Sequence, residues 1–115
     1  MSKISFEGIG EVAATFACGD GVTAGQVVKV TGNGTVGACS DGDRFCGMAL
    51  SAQDGYAAVQ LAGLVRVSVT GEGVSAGWIK LAADGSGGVK AAEEGGREYL
   101  TVAVDTAAKT AVVRL

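Results

Sequence analysis

A chain of 115 residues with 48 % apolar and 18 % charged side chains is long enough to bury one core and too apolar for a disordered segment. Its net charge of −3, with nine Lys and Arg scattered singly, speaks against a nucleic-acid surface, and no apolar run approaches the roughly 20 residues of a membrane span. Twenty glycines without a single proline or histidine point to short strands joined by tight turns, and remove the usual general base of hydrolytic enzymes.

Residues 1–10 read as an arm outside the domain. Ile4 and Phe6 alternate with Lys3 and Ser5, as in a segment able to add a strand to a neighbour, so Lys3, Ile4 and Phe6 are candidate contacts with a partner. The stretch has no apolar h-region of a secretory signal, which makes the cytosol the expected place of synthesis. Residues 11–115 read as one β domain made of two half-repeats, about 11–62 and 63–115.

The first half opens with an alternating run, Val12 to Cys18, then the turn Gly19-Asp20-Gly21-Val22-Thr23-Ala24-Gly25. A strand from Gln26 to Val30 follows, then the tight turn Gly32-Asn33-Gly34, a short strand, a polar turn ending in Arg44, and an apolar strand from Cys46 to Leu50. Val59 and Leu61 flank Gln60 in one more strand. The elements from the alternating run to the apolar strand then recur. Leu64 to Thr70 alternates, with Val65, Val67 and Val69 set against Arg66, Ser68 and Thr70. Gly71-Glu72-Gly73-Val74-Ser75-Ala76-Gly77 repeats the first turn 52 positions on, with only Asp/Glu and Thr/Ser exchanged. Trp78 to Ala82, the turn Asp84 to Gly88, a short strand, a turn ending in Arg97 and a strand from Tyr99 to Val104 complete the second copy. In that last strand Leu100, Val102 and Val104 alternate with Thr101, Ala103 and Asp105. Ala91 to Glu98 has room for one helical turn, which Gly95-Gly96 would end. The expected fold is all-β: a single compact barrel or sandwich of about eight or nine short, mainly antiparallel strands with internal pseudo-two-fold duplication.

Several motifs promise chemistry and lack its context. Gly73-Val74-Ser75-Ala76-Gly77 spells a nucleophile elbow, but it leads into a strand, has no histidine to serve it, and carries Thr23 at the matching place in the first copy. Gly32 to Gly37 spells a dinucleotide fingerprint with no helix after it. Asp41-Gly42-Asp43, Asp20 and Glu72 read as solvated turn acids, since a calcium loop opening at Asp41 would place Ala52 where its closing glutamate belongs. Three cysteines, Cys18, Cys39 and Cys46, fall short of a four-thiolate zinc site and read as small core residues; Cys46 shares a face with Met48 and Leu50, and Cys18 with Phe16. No catalytic residue, cofactor or metal is expected. Trp78 shares a face with Lys80, opposite Ile79 and Leu81, and is either a protein–protein contact or packs at a sheet edge. Arg44 and Arg97 occupy equivalent turns, where each pairs with nearby acids, meets a partner chain or stays solvated.

The apolar strand, the Gly-Val-Thr-Ala-Gly turn, Val27-Val28-Lys29-Val30, Thr35-Val36-Gly37, Cys46-Gly47-Met48-Ala49-Leu50 and Ala57-Ala58-Val59-Gln60-Leu61-Ala62-Gly63 together resemble a group of small phage and prophage capsid decoration, or cement, proteins. The likeness runs from about Glu11 to Leu115 and consists of turn-and-strand chemistry. It implies a non-enzymatic protein of the virion, made in the bacterial host cytoplasm, that binds the major capsid protein on the outer surface of the head. Such a protein bridges adjacent capsomers, commonly as a homo-trimer, and needs neither nucleic acid nor membrane. Lys3, Ile4 and Phe6 would then meet the capsid, and Trp78, Arg44 and Arg97 a partner or a neighbouring copy. The alternative function is a small-molecule or glycan-binding β-barrel module, which would need a pocket lined by several of the six aromatics.

Overall fold

Alternation of apolar and polar residues, interrupted every few positions by glycine, produces strands and little else. The computed structural model describes residues 10–115, and among these there is no helix. Ten strands form: β1 (Val12–Cys18), β2 (Val27–Gly32), β3 (Thr35–Ala38), β4 (Gly47–Gln53), β5 (Tyr56–Ala62), β6 (Leu64–Ser68), β7 (Gly77–Ala83), β8 (Val89–Ala91), β9 (Arg97–Asp105) and β10 (Thr110–Arg114). The all-β expectation holds, with ten strands in place of eight or nine. The strand not foreseen is β10, which the chain reaches through the turn after β9 and pairs with β9 and β6. Asp54 and Gly55 both take positive φ (55° and 80°) between β4 and β5, the backbone of a type I′ turn whose twist matches the flanking strands. The segment after β8 makes a bend and no helical turn, because Gly95 and Gly96 both sit at positive φ.

The first five strands close into a barrel in the order β1-β3-β2-β4-β5, and the last five form a sheet in the order β6-β10-β9-β7-β8. Read around the ring these are the same order, with β6 standing for β1 and β10 for β5. Even the parallel closure recurs. Ala17 and Cys18 of β1 pair with Thr35 and Val36 of β3, whereas the second half keeps one parallel bridge, Val69 to Val89. Asp84 reinforces that weaker closure: its carboxylate accepts hydrogen bonds from the Thr70 hydroxyl and from the Ser86 and Gly88 amides.

Two apolar clusters fill the molecule. One belongs to the first barrel: Val22, Val28, Val36, Ala49, Ala57 and Val59. The larger one joins the halves, since Val27 and Phe45 of the first pack with Val65, Val67, Leu81, Val89, Tyr99 and Val113 of the second. Each such side chain contributes about 1.5–3 kcal/mol on burial, so the shared cluster binds the halves into one folding unit. Polar contacts follow the same seam. Val27 N donates to Gly87 O (2.9 Å), Gly42 N to Ala83 O (2.9 Å) and Ala83 N to Asp43 O (2.8 Å).

Two strand faces differ from the plain alternation. In β9 the inward residues are Tyr99 and Thr101, both nearly inaccessible, while Leu100 faces out. A bulge then shifts the register, so that Val113 faces Thr101 but Val112 faces Ala103, and Val104 returns to the core. In β4 a second bulge, between Ala49 and Ser51, turns Leu50 outward, and Cys46 and Met48 pack against different clusters.

Candidate interaction surfaces

Four acids among the described residues, Asp41, Asp43, Asp84 and Asp105, are engaged singly. Asp43 accepts from Lys29 Nζ and from Ser40 N; the lysine bond, and then the amide, hold its carboxyl below the ordinary value, and the same bond raises Lys29. Asp41 pairs with Lys90 (2.6 Å). Burial works against ionisation of Asp84, but its three hydrogen bonds prevail and lower its pKa. Asp105 accepts from the Ala107 and Ala108 amides and shapes the β9–β10 turn. No three His, Cys, Asp or Glu among the described residues gather where they could hold a metal ion, and Ser75 lies exposed in the turn leading to β7. Cys18, Cys39 and Cys46 are free thiols, half-buried against the two clusters; burial, with the Asp43 charge, pushes Cys39 up to about 11.

The turns that end in Arg44 and Arg97 meet across the joint between the halves. Arg44 Nε and Nη2 both donate to Gly96 O at 3.2 Å, and the Arg97 guanidinium lies 5.0 Å from the centre of the Tyr99 ring. That ring stacks on Phe45 (centroids 4.7 Å apart, planes 5° from parallel), and Tyr99 Oη donates to Phe45 O at 2.9 Å. The two arginine turns thus brace each other, although both guanidiniums keep exposed surface. Lys3, Ile4 and Phe6 lie outside the described residues.

Trp78 is 65 % exposed, on the outer face of the second sheet. The register sets Leu64, Arg114, Leu100 and Trp78 directly opposite one another across β6, β10, β9 and β7. Their chain neighbours Val65, Val113, Tyr99 and Ile79 point into the core, so the four share the opposite face. With strands about 4.8 Å apart the row is roughly 14 Å long. Lys80 and Glu98 pair on the same face one step along. Trp78 is where the sequence placed it; Leu64, Leu100 and Arg114 were hidden because their adjacency exists only through strand register.

A cavity of about 590 Å³ opens between the turn after β6 and the β9–β10 hairpin. Val69, Val74 and Val104 form its apolar floor, and Thr70, Glu72, Asp105 and Lys109 its rim. The duplication explains it. In the first half the corresponding turn residue, Val22, is buried in the closed barrel, whereas Val74 is only half-buried because the second ring is less completely closed. Comparison of the sequence with protein-family models gives no match, and comparison with curated proteins gives none either. The functional reading therefore rests on these surfaces.

Proposed function

We propose that the chain is a structural protein of a phage head that adheres to the outer capsid surface and bridges capsomers. The observation that carries this reading is the Trp78 row: a largely exposed tryptophan flanked by half-buried Leu100, fixed on a sheet whose other face is the shared core. Tryptophan concentrates binding energy at interfaces, and a stiff sheet loses little ordering entropy on docking. Weak contacts repeated over a lattice add through multivalency, so a row of this size suffices where a solitary complex would need more area. The turn-and-strand resemblance to cement proteins supplies the partner, the major capsid protein, and a homo-trimer as the form that sits on it. The β-barrel ligand module is less well supported, because the cavity rim carries no aromatic ring on which a sugar or flat ligand could stack.

The test is co-sedimentation of the purified protein with heads assembled from the capsid protein encoded beside its own gene. Trp78→Ala is expected to weaken binding by about thirtyfold, the loss typical of a hot-spot residue, with the thermal midpoint almost unchanged. Equal binding by wild type and variant removes the Trp78 face from the reading. A gene lying among metabolic enzymes, away from portal and head-protease genes, counts against the phage assignment itself.

A further inference from the structure

We infer that β1 is a self-association seam, its open edge and inner face covered in the working assembly by a second copy of this chain. The inference stands on the geometry of the first barrel and does not rest on the proposed function.

Strand β1 pairs with β5 along its length, from Val12 to Ala17, but β3 reaches only Ala17 and Cys18. On the β3 side, the backbone from Val12 to Phe16 has no strand partner among the described residues. Both faces are also bare. Successive side chains of a strand point to opposite faces, so one face of a barrel strand belongs inside, yet Val12, Ala13, Ala14 and Thr15 are all exposed, Val12 by 55 %.

The duplication shows what such a strand looks like when covered. Ala14 and Phe16 face Val59 and Ala57 of β5, as Val65 and Val67 face Val113 and Ala111 of β10. Val65 and Val67 are each 2 % exposed, because Val27 and Phe45 of the first half pack into their cluster. Ala14 occupies the position of Val65 and lies open. One copy of the strand is thus capped along its length, whereas in its twin Phe16 and Cys18 pack on the first barrel's cluster and the Val12–Thr15 end stays open.

Composition agrees with a covered seam. Solitary edge strands are usually protected by lysine or proline, and Val12 to Gly19 contains neither, nor any charge. The bulge between Val12 and Ala13 lies in the pairing with β5 and leaves the other edge straight enough to pair. The occupant is a second copy because the unpaired β1 edge of one molecule offers another the same free backbone groups, and an uncharged edge lets two molecules of charge −3 approach without like charges at the contact. Two β1 edges about a two-fold, or a ring in which each β1 receives a strand of the next copy, both satisfy the edge, and the measured mass tells them apart.

Sedimentation velocity of the full chain over a thousandfold concentration range, with hydrogen exchange read at the amides of residues 12–16, tests the seam. Expected is a concentration-dependent rise in mass, with those of the amides that face away from β5 becoming protected as it occurs. Ala14→Lys and Ala13→Lys, both at exposed positions, should keep the wild-type melting curve and weaken association at least tenfold, while Ala107→Lys, in an exposed turn, associates normally. A wild type that stays monomeric throughout, or lysine variants that associate as before, overturns the inference. So does protection already present in the monomer and lost on deleting residues 2–9, which would assign the edge to the chain's own N-terminus. Protection that appears only with added heads would assign it to a foreign strand and equally refute a second copy.

Discussion

The hydroxyl of Tyr99 is the most informative single group at the joint between the halves. Tyr99→Phe keeps the ring on Phe45 and beneath Arg97 and removes only the bond to Phe45 O, which is 2.9 Å long and buried. A typical buried hydrogen bond contributes about 1 kcal/mol net, and the carbonyl left without its donor raises the cost to about 1–2 kcal/mol. For a chain of this length that is a fall of roughly 4–8 °C in thermal midpoint. Tyr99→Ala removes the ring as well, and should cost about 3–5 kcal/mol. The assay is urea unfolding followed by Trp78 fluorescence and by far-ultraviolet circular dichroism. If the shared cluster makes one unit, both probes move together, because Trp78 reports the second sheet while dichroism reports all ten strands. Wild-type transitions that separate by probe, or a Tyr99→Phe variant within 0.3 kcal/mol of wild type (roughly the scatter between independent measurements), would refute the joint as described. A pH arm sharpens the test. Burial raises the Tyr99 pKa against the opposing Arg97 charge, so the stabilisation is complete below the ordinary value of 10.0 and is lost as pH climbs above it. The loss should be smaller in Tyr99→Phe.

Three further outcomes follow from other residues. Gly96→Ala should destabilise by at least 2–3 kcal/mol in urea unfolding, because Gly96 holds φ +64° and an added Cβ would stand 2.4 Å from Leu81 O; Gly19→Ala, with open space around it, should be nearly neutral. Asp84→Ala should cost about 1–2 kcal/mol at neutral pH. Because its folded pKa is lowered, Asp84 stabilises above the ordinary value of 3.8 and ceases to as pH falls below it, so acid titration of stability should be shallower in the variant. Cys39, with its thiol raised to about 11, should alkylate far more slowly at pH 8 in the native protein than after unfolding, as mass spectrometry of iodoacetamide-treated peptides would show.

How much of this was legible in the sequence depended on whether information was local. Val65, Val67 and Val69 alternate without interruption, and β6 faces as they read. The turn repeated at Gly19 and Gly71 marked a duplication that the strand orders bear out. Beta bulges defeated the same logic in β9 and β4. A bulge adds one residue to one strand, which reverses the facing of everything beyond it, and no residue type near Val102 or Leu50 announces it. Thr101 is a fair measure of the difficulty. It reads as a polar outward residue, yet it is 1 % exposed, and its hydroxyl has no partner among the described residues.

The surfaces were the least legible, for a related physical reason. Exposure of Trp78 could be read from its alternation with Ile79, but the apolar row it completes depends on strand pairing between residues 14 to 50 positions apart, which periodicity does not encode. For β1 the local signal points the wrong way. The alternating run Val12 to Cys18 reads as a strand with one covered face, as its counterpart β6 is, yet Val12 to Thr15 are exposed on both faces. The sequence pattern and the exposure of the isolated chain are reconciled if each describes a different state: the pattern fits the strand as it is in an assembly, and the exposure is that of the single molecule. On that reading the discrepancy at Ala14 is a quantity that can be measured. Substituting Val there should leave the monomer's stability nearly unchanged, since the site is exposed, and should tighten association by the burial of two methyl groups, about 1–1.5 kcal/mol or roughly tenfold in sedimentation. A valine that stabilises the monomer by the full amount would instead show that the first barrel covers β1 by itself.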